Sequence, residues 1–218
     1  MTDVHCHLRG GNAAVRELVC GEQFLGVHPW DAEGCGEVGL MCDELRRRLS
    51  ENPKLGVGEI GLDRLKDRSI SPRMREVFEA QLALGFELGR PIVLHGAKCW
   101  GQVVERVKKE ELKVKNCGCG FLFHGFSRSD GLIPEIARLG GFVSVGPAVL
   151  NDHAVNYREL VKRIPDECLV LETDRTAESA ADCPDIARIC AKVAELRGTS
   201  AAELERLTDA NALRFYPW

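Results

Sequence analysis

The chain has 218 residues, 44% hydrophobic and 28% charged, which suits one substantial core and leaves little room for two. That composition excludes disordered, collagen-like and coiled-coil chains. With 29 Lys plus Arg against 33 Asp plus Glu, the net charge of -4 offers no global attraction to nucleic acid or to an acidic membrane, but leaves room for a local basic patch.

The sequence opens on Met1-Thr2-Asp3-Val4-His5, without the basic stretch and apolar run of a secretory leader, and no apolar run reaches the length of a membrane span. The expected compartment is cytoplasmic, with no membrane partner. The ten cysteines are therefore read as mostly reduced thiols packed as small hydrophobes. Cys117-Gly118-Cys119 is too short a pattern for a zinc knuckle.

Short apolar runs alternate with amphipathic segments along the chain. The runs are Asp3-Val4-His5, Gln23 to Val27, Leu55 to Gly58, Pro91 to Leu94, Gly120 to Phe123, Gly141 to Val145 and Cys168 to Leu171. Most are continuously apolar, as parallel strands buried on both faces require. Between Arg73 and Gly89, Met74, Val77, Phe78, Leu82 and Phe86 recur at helical spacing behind a Ser71-Pro72 start. Ile186, Ile189, Cys190 and Val193 form a second stripe. Ser200-Ala201-Ala202-Glu203 reads as a capping box for a last helix with Leu204 and Leu207 inward. Strand–helix alternation predicts an α/β fold of about seven strands, one short of a full (β/α) barrel. The stretch from Arg9 to Glu22 holds two glycines, Gly10 and Gly11, and a short helical turn between Ala13 and Val19.

Metal-capable side chains follow six of the seven runs: His5 and His7, His28, Glu59, His95, His124, and Glu172 with Asp174. Residues two apart on a strand share a face, so His5 and His7 can converge. Each element alone has an ordinary reading, as a core histidine, a helix cap or an ion-pair partner. Together they gather at the C-terminal ends of strands, the rim where barrel sites form. A mixture of imidazole and carboxylate suits one or two divalent ions, with Zn, Mg and Mn as candidates.

His5-Cys6-His7-Leu8, Gly26-Val27-His28-Pro29-Trp30, Gly58-Glu59-Ile60-Gly61-Leu62-Asp63, Pro91-Ile92-Val93-Leu94-His95, Phe123-His124-Gly125-Phe126 and Leu171-Glu172-Thr173-Asp174 match, in order, the motifs of the TatD family of metal-dependent hydrolases. The tail from Thr208 to Phe215 resembles the family's ending. The resemblance covers nearly the whole chain as a single domain, closest to a compact subgroup. It implies a TIM-like barrel in which His5 and His7 bind one metal, Glu59 bridges two, and His95 and His124 bind the second. It also implies that Asp174 lies against the first metal and the attacking water, which it would orient or deprotonate. By resemblance the substrate is a phosphodiester, hydrolysed as DNA from its 3′ end. The alternatives are an ester or amide bond, as in D-aminoacyl-tRNA deacylation, and a metal-binding scaffold without turnover.

One departure is length: His5 and His28 stand 23 positions apart, where typical members use roughly twice that and fit a further strand and helix, so one strand–helix unit is expected to be missing between Arg9 and Glu22. Three more concern the substrate side. Ala97 stands where many members carry Arg, and Lys98 either replaces that charge or is a solvated helix-start lysine. Arg175 follows Asp174 where the family continues with a small residue, and is a phosphate contact or a surface residue. Arg64 replaces a common aromatic. His28 is assigned to the substrate or to a hydrogen bond behind the ligands. Trp30 and Trp100 are read as packing residues near the rim rather than base-stacking platforms, His153 as surface, and Arg46-Arg47-Arg48 as a solvated helix face rather than a nucleic-acid contact.

Overall fold

The computed structural model describes residues 1–114 and 119–218, so Cys117-Gly118-Cys119 lies in part outside the described residues. The strands are β1 (Thr2–Cys6), β2 (Arg16–Val19), β3 (Phe24–Leu25), β4 (Gly56–Asp63), β5 (Ile92–Ala97), β6 (Phe121–Phe123), β7 (Phe142–Val145) and β8 (Leu169–Leu171). The helices are α1 (Val38–Glu51), α2 (Pro72–Glu87), α3 (Trp100–Lys113), α4 (Ile133–Arg138), α5 (Val155–Arg163), α6 (Ile186–Arg197) and α7 (Ala201–Phe215). All seven expected apolar runs form strands. The count of seven is corrected to eight among the described residues. The segment read as a helical turn contains β2, which pairs parallel with β1. The strand of the supposedly missing unit is thus present, and only irregular chain joins β1, β2 and β3.

The chain divides into two compact units, Gly21–Phe123 and the combination of Met1–Cys20 with His124–Trp218. In the first, β3, β4, β5 and β6 pair in parallel, in sequence order. All eight residues of β4 are buried, which is why this strand reads as apolar on both faces. The helix α2 starts as expected: Ser71 Oγ accepts from Met74 N at 2.9 Å and Pro72 takes the first position. Its buried Gln81 accepts from Val27 N at 2.7 Å and donates to Val27 O at 3.1 Å, tying the helix to the residue before His28. Gly61 is required by close approach, since a Cβ there would stand 2.0 Å from the His95 carbonyl oxygen. Trp100 is buried near Phe123, as expected of a packing residue. Arg46 and Arg47 on α1 pair with Glu87, Glu44 and Glu51, so that basic run is largely neutralised in place.

In the other unit β1 pairs with β2 and β7 with β8, both parallel. The stripe of Ile186, Ile189, Cys190 and Val193 is buried on α6, which ends at left-handed Gly198. The helix α7 opens on the expected capping box, Ser200 Oγ accepting from Glu203 N while Glu203 reaches back to Ser200 N. Leu204 is buried and Leu207 half-buried. Asn211 accounts for part of the tail motif: its Nδ2 donates to the carbonyls of Asp166 at 2.6 Å and Leu169 at 2.8 Å, fixing α7 to the start of β8. The nine described cysteines are free thiols. Burial pushes the Cys6 thiol up to about 12 and those of Cys99, Cys168 and Cys190 up to about 11, so they pack rather than react. His153 is exposed. Among the described residues no helix is long and apolar enough to cross a membrane.

Removing the cap of α7 gives a direct check of this reading. Ser200→Ala is expected to lower stability by about 1 kcal/mol in urea unfolding, with an unchanged m-value.

Candidate metal centre

Each unit gathers its own set of metal-capable side chains. In the unit holding both termini, His5, His7 and Asp174 bring one donor atom each within 4.8 Å of one another. His5 Nε2 and His7 Nε2 lie 3.5 and 3.6 Å from the same oxygen, Asp174 Oδ1. These separations are too long for good hydrogen bonds. They are close to the roughly 3.4 Å between two donors about 2.1 Å from one tetrahedral ion. The donor set therefore fits a divalent metal.

Local structure produces this arrangement from residues 170 positions apart. The buried Asp3 carboxylate accepts from Thr173 N at 3.0 Å and from Thr173 Oγ1 at 2.5 Å. Asp174 N donates to His5 O, and the amides of His7 and Leu8 both donate to Arg175 O. Asp174 itself has a left-handed backbone, φ 49°, which Asp tolerates better than most residues. On β1 the pairing with β2 slips by one residue between Asp3 and Cys6, the interval that contains His5. Cys20 Sγ lies 3.5 Å from His5 Nδ1, against the ring edge opposite the nitrogen that faces Asp174. His124 is buried with its ring 4.1 Å from that of His5 and its Nδ1 3.7 Å from Glu172 Oε2. Glu172 is held by the amide of Gly125, which donates to Oε1 at 2.8 Å. Arg175 turns its side chain toward Gly10, where a Cβ would meet the guanidinium carbon at 3.2 Å.

The second set, in the Gly21–Phe123 unit, is His28, Glu59 and His95. The register of β4 against β5 slips by one residue between Val57 and Ile60, the interval that contains Glu59. His95 sits between two carboxylates, with Nδ1 2.5 Å from Glu59 Oε1 and Nε2 2.8 Å from Asp63 Oδ2. Asp63 is itself fixed by Trp30 Nε1 and by the amides of Leu65 and Lys66. Burial raises its pKa, but the hydrogen bonds from His95, Lys66, Trp30 and Leu65 outweigh that and hold the carboxyl well below the usual range. His28 Nδ1 accepts from Trp30 N at 3.1 Å, so the neutral ring carries its proton on Nε2, which faces Glu59 Oε1 at 3.5 Å. In that tautomer the Nε2–H is directed toward Glu59 Oε1 without reaching good hydrogen-bond distance.

Several positioning residues carried no role in the sequence reading. Asp3, Asp63, Cys20 and Gln81 each act through a partner distant in sequence. Asp63 ends a quoted motif and Asp3 stands two residues before His5, but neither position reveals its partner. Trp30 stands 51% exposed with its ring 5.0 Å from that of His28 and its indole N–H donating to Asp63. Lys98 is exposed, three residues beyond His95.

The family model described as TatD related DNase matches residues 22–217. This chain belongs to the TatD family. It is 30% identical over 88% of its length to a Bacillus subtilis protein named uncharacterized metal-dependent hydrolase YabD, covering 76% of that protein. It is also 30% identical over 85% of its length to the 3′-5′ ssDNA/RNA exonuclease TatD of Klebsiella pneumoniae, covering 73% of it. The crystal structure of the TatD homologue YjjV from Escherichia coli K12 has the same fold, with a TM-score of 0.82 at 24% identity, covering 100% of this chain and 98% of that one. The fold is therefore of the α/β, TIM-like barrel class, and the TatD member studied here is a metal-dependent hydrolase.

Two outcomes test the positioning residues. Asp63→Ala is expected to weaken divalent-metal binding about 10- to 100-fold, read by chelator competition, with the fold intact by circular dichroism. Asp3→Ala, which strands the Thr173 amide and hydroxyl, is expected to cost about 2–3 kcal/mol in urea unfolding, and Asp3→Asn less than half as much.

Proposed function

We propose that this TatD protein is a divalent-metal-dependent phosphodiesterase that removes nucleotides from the 3′ end of single-stranded DNA. The observation that carries the reading is the pair of imidazoles set 3.5 and 3.6 Å from one oxygen of an exposed aspartate, Asp174. Support also comes from the Klebsiella relative, whose name states a 3′-5′ exonuclease acting on single-stranded DNA and RNA.

In this reading His5, His7 and Asp174 hold one ion, and Glu59 and His95 supply donors for a second. Zn, Mg and Mn all suit such mixed nitrogen and oxygen ligands. When bound, divalent ions neutralise phosphodiester charge and make water a nucleophile near neutral pH. The protein's own contribution is placement and proton handling. The Asp174 carboxylate orients the attacking water and takes its proton. Asp63 holds the Nε2 edge of the His95 ring, which turns Nδ1 toward Glu59 as the donor atom, and His28 directs its Nε2–H toward the same carboxylate. The chain needs no global positive charge for this task, because ligand-bound ions supply charge that the net value of -4 omits.

The test uses metal-stripped protein reloaded with Mg, Mn or Zn and a 5′-labelled single-stranded oligonucleotide, which should shorten stepwise from its 3′ end. Asp174→Asn and Glu59→Gln are each expected to lower kcat about 10²- to 10⁴-fold. Turnover of an aminoacyl ester with DNA left intact would replace the nuclease reading by the ester-hydrolase one. Metal binding without any turnover would leave a scaffold.

A further inference from the structure

Beyond the ends of β4 and β5 lies a cavity of about 410 Å³ lined by Arg64, Arg68 and Lys98. Arg64 directly follows Asp63, and its amide donates to Ala97 O at 2.9 Å, continuing the pairing that aligns Asp63 with Ala97 and Gly61 with His95. Lys98 follows on the other strand. The cavity is thus the next step outward, on the same two strands, from Glu59 and His95.

Three features mark it as a built anion site. Among the described residues, none of its three cations forms an ion pair, whereas most basic residues on the surrounding helices do: Arg46, Arg47, Arg73, Arg106, Lys109 and Lys113 all face glutamates. No acidic side chain lines it. Arg68 and Lys98 have left-handed backbones, φ 58° and 57°, a conformation that costs free energy in non-glycine residues and gathers at functional sites. Three unneutralised cations in one cavity match the charge of a phosphate group, which Arg binds through paired N–H donors. The half-exposed indole of Trp30 is bonded to Asp63, the residue before Arg64, and capped by Lys66 Nζ at 5.4 Å from its ring. Cations along a backbone path with an exposed aromatic beside it are the pattern of a single-strand binding surface.

We propose that Arg64, Arg68 and Lys98 form a phosphate subsite that holds the backbone phosphate next to the scissile one, so that the preferred substrate is a single strand carrying at least two phosphates. This rests on the phosphodiesterase reading for its register but not for its binding.

The experiment has two arms. In chelator, where nothing is cleaved, fluorescent dT8 binds the full chain over a salt series. The double variant Arg64→Gln, Arg68→Gln is expected to bind about tenfold more weakly, with a salt slope smaller by about 1.4, from two charges at roughly 0.7 each on a single strand. Arg46→Gln, which removes a charge paired with Glu87, should change neither. In the second arm, metal-loaded protein should favour pTpT over TpT about tenfold in kcat/KM, through KM, and both the double variant and Lys98→Gln should lose that preference. Equal dT8 binding by wild type and double variant, an equal loss in Arg46→Gln, or displacement of dT8 by inorganic phosphate at the same concentration as by unlabelled strand would each overturn the proposal. Cleavage of neither dinucleotide, with the charge-dependent dT8 binding intact, would sink the phosphodiesterase reading and leave the anion site standing.

Discussion

The geometry of the first ligand set depends on one buried carboxylate. Asp3 receives the amide and the hydroxyl of Thr173, and so joins the first strand of the chain to the turn that follows the last. His5, His7 and Asp174 lie one or two residues beyond the joined positions or their neighbours on the strand, so a slip at Asp3 would move every donor at once. A metal site tolerates errors of only about half an ångström before its ligands cease to act together. The arrangement has a thermodynamic cost. Burial raises the Asp3 pKa to about 6 against the hydrogen bonds from Thr173 and His5, so the charged form is held in an unfavourable place. A carboxylate that only stabilised the fold would be replaceable by apolar packing. One that sets the register of a ligand set is not.

The other unit solves the same problem with the same chemistry. Asp63 carries no donor to the ligand set, but four groups converge on it and one of them is the far nitrogen of His95. Register also slips in β1 between Asp3 and Cys6, an interval that contains His5, and in β4 between Val57 and Ile60, an interval that contains Glu59. A regular parallel strand aims its side chains straight above or below the sheet. A bulge turns one of them toward the strand end, and a carboxylate outside the set then locks the result. Bulge and lock recur in two units that share no strand, which argues that each is needed for the donors rather than for the sheet.

What was legible in the sequence follows from these physics. Seven strands announced themselves because burial on both faces leaves continuous apolar runs, and the donors stood out because they interrupt those runs at one end. The strand Arg16–Val19 did not, because its first two residues are polar and half-buried. Arg16 donates to the carbonyl of Tyr216, and Glu17 accepts from Gly10 N. Polar side chains committed to partners two hundred and seven residues away, respectively, look like loop residues in a local pattern. The roles of Asp63, Gln81 and Trp30 were hidden for the same reason. Trp30 packs edge to face on His28 while its N–H partner at Asp63 keeps it half-exposed, a pairing no local pattern shows. Periodicity reports which face is buried; it carries no information about which distant atom a polar group has found.

Charge shows the same limit most sharply. A net value of -4 argues against a polyanionic substrate, and a run of three arginines at 46–48 argues weakly for one. Neither is the relevant quantity. Arg46 and Arg47 have glutamates within hydrogen-bonding distance, so most of their field is cancelled within a few ångströms. Arg64, Arg68 and Lys98 lie scattered over 35 positions, form no run, and still meet in one cavity with their charges uncompensated. The potential felt by a substrate depends on which charges remain unpaired and whether they face the same volume, and only the folded chain decides both.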